Sequence, residues 1–151
     1  MKNEEEKAYD IARNLRESPQ LLMASNGVLG TVLSLLAGLM FSASILFFSF
    51  GRGLPYGDLF ALSIMVNAVL FVFAALANNM QTHSIISRSL KDYKRWSNAV
   101  NFLGNNGILH MMLNLIGMGF YLRWETGAIM SIVVVVGAIY LGHNLKKIRK
   151  D

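Results

Sequence analysis

The chain has 151 residues, of which 54% are hydrophobic and only 15% are charged, whereas a soluble domain has about 25% charged residues. This shortage of charge indicates a membrane protein. Cysteine is absent, which excludes disulfides, thiolate metal sites and cysteine nucleophiles. The net charge of +5 is confined to short segments between long apolar runs, so we expect orientation in a bilayer and no nucleic-acid binding.

Residues 1–18 form a polar segment with helical periodicity. It begins MKNEEEKAYD, and three consecutive glutamates are unlike the positively charged start of a secretory signal peptide. Apolar residues then recur at helical spacing, at Ala8, Ile11, Ala12 and Leu15. We therefore expect an amphipathic cytoplasmic helix, followed by a transmembrane domain over residues 19–151.

The first apolar run predicts a transmembrane helix over about residues 27–50. Its start has two alternatives. Ser18 and Pro19 are suited to the N-cap and the first position of a continuous long helix, whereas Asn26-Gly27 is suited to a break.

A stripe of small residues spaced by four follows this helix: Gly30, Ser34, Gly38 and Ser42. Small side chains let another helix backbone approach closely. The pattern predicts helix packing, with three possible settings: inside the monomer, between subunits, or along a narrow pore wall.

The second apolar run predicts a transmembrane helix over residues 58–79, preceded by a Gly/Pro turn, GRGLPYG, at residues 51–57. Asn67 is the polar exception near its middle. Residues 82–97, THSIISRSLKDYKRWS, then predict either an amphipathic helix at the membrane interface or a cytoplasmic helical extension. Its basic residues are candidates for contact with the membrane surface or a partner: Arg88, Lys91, Lys94 and Arg95.

The third run, residues 98–122, predicts a transmembrane helix that carries a polar stripe. Asn106, His110 and Asn114 are spaced by four and therefore share one helix face, while Asn101 and Asn105 form a second polar patch. Lipid offers these groups no hydrogen bonds, so they should face protein or water. They either bond across helices and hold the bundle together, or line a wet path together with Asn67.

His110 has three readings: a hydrogen-bonded structural residue, a pH-sensitive or solute-contacting residue, or a ligand for metal or haem. A haem bridging two helices usually needs a second axial ligand, but His83 and His143 lie roughly half a membrane away in sequence position. We therefore expect no metal and no cofactor.

The fourth run predicts a transmembrane helix over residues 127–145, after a short link, RWET, at residues 123–126. The fold class is therefore an all-α integral membrane protein with a four-transmembrane-helix bundle. All but two of the 14 basic residues lie in the two tails and the middle loop, the exceptions being Arg52 and Arg123. The positive-inside rule places both termini and that loop on the cytoplasmic side of a cytoplasmic membrane or an equivalent one.

These features predict an oligomeric channel or small transporter for an ion or small polar solute. The alternative is a non-catalytic membrane subunit or scaffold that assembles with other membrane or cytoplasmic proteins. The expected partners are the lipid bilayer and either further copies of the chain or another membrane protein. A lipid-modifying enzyme or haem protein is a third class, but no constellation of nucleophile and base supports catalysis.

Overall fold

The computed structural model describes residues 4–50 and 56–148, with side chains for residues 9–50, 56–137 and 139. Over this part the chain forms five helices and no strand: α1 (Glu4–Glu17), α2 (Pro19–Phe50), α3 (Gly57–Ile86), α4 (Leu90–Leu122) and α5 (Trp124–Ile148). Most of the predicted turn at residues 51–57 and the side chains of several tail residues lie outside the described residues, namely Lys2, Lys7, Lys146, Lys147, Arg149 and Lys150.

Two of these helices, α2 and α3, are long and apolar enough to cross a membrane. They have 32 and 30 residues, which at about 1.5 Å per residue exceeds a hydrocarbon core of about 30 Å. The chain is helical without a break at Asn26-Gly27, so the continuous alternative describes α2. The described apolar stretch of α5, Trp124–Gly137, is shorter than the minimum of 18 residues for a membrane-spanning helix.

The segment at residues 82–97 differs from the single interfacial helix that the sequence predicts. It is divided between the end of α3 and the start of α4 by a turn at residues 87–89. The N–H of Ser89 donates to the carbonyl of Ser84 at 3.0 Å, and that of Arg88 to the carbonyl of Ile85 at 3.1 Å, which is a Schellman motif. The sequence gives no sign of this turn, because residues 87–89 contain neither Gly nor Pro, the residues that usually mark the end of a helix.

Arg88 occupies the position of this motif that glycine usually takes. Its φ of 55° lies in the left-handed region, which costs a residue with a Cβ about 1 kcal/mol. The following residue, Ser89, caps α4, and its hydroxyl donates to a carboxylate oxygen of Asp92 at 2.7 Å. The chain therefore leaves α3 and enters α4 through a defined, strained turn.

The described chain divides into two compact units, Lys2–Ile108 and Leu109–Asp151. In the first, α2, α3 and the first part of α4 pack around a cluster of buried side chains: Leu33, Ala37, Phe71, Ala74, Ala77 and Val100. A second cluster joins α1 to the turn region through Leu15, Ile85 and Tyr93, with Leu22 of α2 packed against it. Leu15 on the apolar face of α1 is thus buried against the ends of the longer helices, with Ile11 partly buried beside it.

The second unit contains a tight junction between α4 and α5. The sequence predicts a link over residues 123–126, but α5 already begins at Trp124 and only Arg123 separates the helices. Two glycines make this possible, because a Cβ on Gly119 would lie 3.0 Å from the Cα of Gly127. The predicted four-residue link is longer than the observed one. The close contact between Gly119 and Gly127 lets α5 begin directly after Arg123, so no flexible segment is needed to reverse the chain.

Candidate functional site

Polar side chains are buried between helices whose outer faces are apolar. On α3 the side chains of Asn67 and Asn78 are 0% and 2% exposed, whereas Leu35 and Leu39 on α2 are each 62% exposed. Soluble proteins usually show the opposite distribution, with amides outside and leucines inside. The polar interior of the first unit is therefore the place to look for a site.

The buried face of α3 has a regular mixed composition. Asn67, Phe71, Ala74, Asn78 and Gln81 follow one another at spacings of three and four, and all are buried. That spacing keeps them on one side of the helix. Asn67 therefore shares a helix face with Asn78, at a distance along the axis of about 16 Å.

A groove of about 560 Å³ lies between α2 and α3 at the end where α2 begins and α3 finishes. It is lined by Asn26, Gly27, Gly30, Thr31, Ser34, Leu35, Ala75, Asn78, Asn79 and Thr82. None of these described lining residues is charged. The groove thus offers hydroxyl and amide groups, which suit a neutral hydrogen-bonding molecule.

Two asparagines form the buried wall of this groove. The amide Nδ2 of Asn78 donates to the backbone carbonyl of Asn26 at 2.8 Å and so ties α3 to α2. Two further polar atoms of these side chains, Asn26 Nδ2 and Asn78 Oδ1, are buried and have no hydrogen-bond partner among the described residues. A donor and an acceptor are therefore both available beside the groove. Water or a bound solute would satisfy them.

Gly30 makes this contact possible, because a Cβ there would lie 2.8 Å from the Nδ2 of Asn78. We expect Gly30→Ala to push the Asn78 amide away and to cost about 1 kcal/mol, the lost buried hydrogen bond outweighing the helix-propensity gain. Thermal unfolding in detergent measures the change. In the matched control, Gly27→Ala, the new methyl meets nothing within 4 Å and should not destabilise the chain. Equal effects of the two substitutions would contradict the assignment.

The polar stripe predicted on α4 is divided between the two units. Asn106, in the first unit, is exposed, and its Nδ2 donates to the carbonyl of Phe102 in its own helix at 2.7 Å. In the second unit, His110 and Asn114 are partly buried. The Nδ1 of His110 is buried and has no hydrogen-bond partner within the described part of the chain. The stripe therefore contains one amide that its own helix satisfies and one imidazole nitrogen that remains available.

The small-residue stripe on α2 divides into two halves. Gly30 contacts Asn78 and Ser34 lines the groove, so this half faces α3. Gly38 and Ser42 are exposed, and a Cβ on Gly38 would meet nothing within 4 Å. Half of the stripe thus packs inside the unit and half presents a flat surface.

The basic residues predicted to face the membrane surface or a partner lie at and after the α3–α4 turn. Arg88 is in the turn, and Lys91, Lys94 and Arg95 are exposed in the first two turns of α4. The guanidinium of Arg95 lies over the Trp96 ring, 5.5 Å from its centroid. These side chains are accessible, as contact with headgroups or a partner requires.

Sequence reasoning missed Asn26 and Asn78, the two residues that define the groove. In the sequence, Asn26 indicates only a possible helix break, and Asn78 lies near the end of the second predicted span without a distinguishing local pattern. The signal that could have found Asn78 is its spacing of eleven from Asn67, which is three helical turns and places both on one face. Nothing comparable in the sequence pairs Asn26 with it.

No protein-family model matches this chain, and no curated protein or solved structure is significantly similar to it. Its function therefore has to be argued from its own residues.

Proposed function

We propose that this chain is an integral membrane protein with four spans and both termini on the cytoplasmic side, and that it acts as an oligomeric channel or small transporter. The groove between α2 and α3, with its buried asparagine pair, carries the proposal. The transported species is a small polar solute, and the uncharged lining favours a neutral molecule over an ion.

The placement in a membrane is supported by the inverted polarity of the first unit. A hydrophobic helix in the core of a soluble protein is mostly buried. Here only 17% of the most apolar window of α2 and 33% of that of α3 is buried. Exposed leucine, valine and phenylalanine side chains along both helices would be costly in water but are favourable in lipid. The spans of α4 and α5 are supported by the apolar runs at residues 98–122 and 127–145, and the orientation by the distribution of basic residues.

The role in transport is supported by polar groups that their own protein leaves unsatisfied. Buried polar atoms normally have partners, and in lipid a missing partner costs more because water is absent. Asn26 Nδ2, Asn78 Oδ1 and His110 Nδ1 are buried without one among the described residues. Polar groups that serve only to hold helices together would be bonded to one another. Available donors and acceptors are instead what a solute needs to exchange its hydration shell for protein.

Self-association is supported by the outer half of the stripe on α2. Gly38 and Ser42 leave a flat surface on a membrane-length helix, where a second copy of the chain can bring its backbone close. A four-helix bundle is too small to enclose a wide pore. An oligomer would let α2 helices of neighbouring copies complete the path.

The test is solute flux into liposomes that contain the purified protein. Shrinkage and reswelling after mixing with urea or glycerol reports neutral solutes, and a fluorescent indicator reports ions. We expect wild-type protein to raise neutral-solute flux above that of empty liposomes. Ser34→Leu fills the groove and should reduce this flux at least tenfold. His110→Ala and Asn114→Leu test the polar stripe of α4 separately, and a role of that stripe in transport predicts that each changes the flux.

Ser49→Leu is the matched control, because Ser49 is an exposed serine on the same helix and lies outside the groove. It should leave flux unchanged. Wild-type liposomes that are as impermeable as empty ones to every solute tested would reject the transport proposal, as would purification of the chain as a stable monomer. A chain that purifies only with a second polypeptide and carries no flux would support the alternative, a non-catalytic membrane subunit. The exposed Gly38 surface would then pack on that polypeptide.

A further inference from the structure

A second cavity, of about 460 Å³, lies between α1 and the turn that joins α3 to α4. Its described lining consists of three apolar side chains and two arginines: Ala12, Leu15, Leu90, Arg16 and Arg88. All of them belong to the first compact unit. The cavity therefore combines an apolar wall with two positive charges.

Neither arginine is neutralised by the carboxylates beside it in the sequence. Glu17, next to Arg16, has an oxygen 3.6 Å from the Nε of Arg13. Asp92, near Arg88, accepts the hydrogen bond of the Ser89 hydroxyl. Within the described residues, neither Arg16 nor Arg88 forms an ion pair. Both guanidinium groups line this one cavity, so an anion placed there can interact with two positive charges at once.

The backbone at Arg88 gives a separate reason to assign a role to its side chain. The residue holds the left-handed position of a Schellman motif, where glycine would relieve strain and where arginine has no local advantage. Hydrogen bonds at Ser87, Arg88 and Ser89 hold the turn in this conformation. A strained residue at a cavity is a common feature of binding sites.

The cavity also lies at a defined level along the helices. Arg16 precedes the start of α2 by three residues, and Arg88 follows the end of α3 by two. Among the described residues, these are the two helices that are both long and apolar enough to cross a membrane. The predicted spans within them begin at residue 27 and end at residue 79, so in a bilayer the cavity would lie outside the hydrocarbon, on the headgroup side of these helix ends.

We propose that Arg16 and Arg88 bind the phosphate of an anionic phospholipid, with the half-buried Ala12 and Leu90 contacting the apolar part of the lipid next to the phosphate. Guanidinium groups match the planar, bidentate geometry that phosphate oxygens prefer. An apolar wall beside them selects an amphiphile over a free anion. The proposal rests on the membrane placement above, but not on transport.

The test is binding of phosphatidylglycerol to the purified full-length chain in a neutral detergent, followed by native mass spectrometry and by thermal unfolding. We expect one tightly bound lipid and a raised unfolding temperature. Arg88→Gly should weaken this binding about tenfold or more, in the range for loss of one charge-assisted contact. It should leave the folded chain as stable as the wild type or more so, because it relieves the left-handed strain. Arg16→Gln should weaken binding similarly.

Lys94→Gln is the matched control, since it removes one positive charge from the same exposed surface without touching the cavity. Its loss of binding should be much smaller than that of either arginine variant. Inorganic phosphate and glycerol 3-phosphate are tested as ligands in the same thermal unfolding assay. Stabilisation by these ions equal to that by the lipid would overturn the lipid assignment in favour of a soluble phosphate compound.

Unchanged phosphatidylglycerol binding in Arg88→Gly, with the fold intact, would overturn the site itself. So would equal losses in Lys94→Gln and the arginine variants, because binding would then follow net charge alone. Failure of the membrane proposal has a different signature, namely release of the chain from membranes by alkaline carbonate. A silent flux assay leaves the lipid result unaffected, so the two proposals can fail separately.

Discussion

Gly127→Ala is expected to cost about 3 kcal/mol or more of folding free energy, near the upper end for overpacking in a tight site. A Cβ at this position would overlap the Phe120 ring and lie 2.7 Å from the Phe120 Cα. A side chain can rotate away from a new methyl, but a backbone atom cannot, so the α4–α5 junction would have to open. Thermal unfolding in detergent should report the loss as a fall of roughly 2–4 °C per kcal/mol.

Gly137→Ala is the matched control for this substitution. Gly137 lies on the same helix, and a Cβ there would meet nothing within 4 Å. Its replacement should be neutral, or stabilising by about 0.5–1 kcal/mol because alanine is the better helix former. If Gly127→Ala were as well tolerated as Gly137→Ala, the one-residue junction at Arg123 would be wrong.

Gly107→Ala is expected to destabilise the first unit by about 1–3 kcal/mol. A Cβ on Gly107 would lie 2.9 Å from Cε1 and 3.1 Å from Cζ of Phe71, whose side chain is fully buried in the core cluster. The ring has no open space to move into, so α4 must shift away from α3. Chemical or thermal unfolding of the purified chain measures the difference.

A second glycine on α4 provides the comparison for Gly107. At Gly104 the nearest atom to a new Cβ would be Cδ2 of Leu33 at 3.9 Å, an ordinary van der Waals distance. Gly104→Ala should therefore keep or slightly raise stability. If Gly104→Ala destabilised the chain more than Gly107→Ala, the close contact between Gly107 of α4 and Phe71 of α3 would be wrong.

The sequence predicts a helix well where a single local pattern, such as a long apolar run or a capping residue followed by proline, determines its position. Long uncharged apolar runs identify α2 and α3, and Ser18-Pro19 marks the junction at which α1 ends and α2 begins. The membrane crossing of all four long helices, and the side of the membrane on which the termini lie, remain predictions. So do the roles assigned to Asn67, Asn106, His110 and Asn114.

Other features depend on contacts between distant residues and were not predictable. The turn at residues 87–89 contains an arginine where the usual signal is glycine, so a pattern-based reading extends a helix through it. The junction at Arg123 depends on a meeting of Gly119 and Gly127 that spacing alone does not reveal. The groove depends on a bond between residues 52 positions apart, which no local periodicity predicts.

The brevity of the joints at Ser18 and Arg123 has a mechanical consequence. A single residue between two helices leaves almost no slack, so a tilt of one helix is transmitted directly to its neighbour. We therefore expect α1 to move together with the start of α2, and α5 together with the end of α4, as coupled rigid elements.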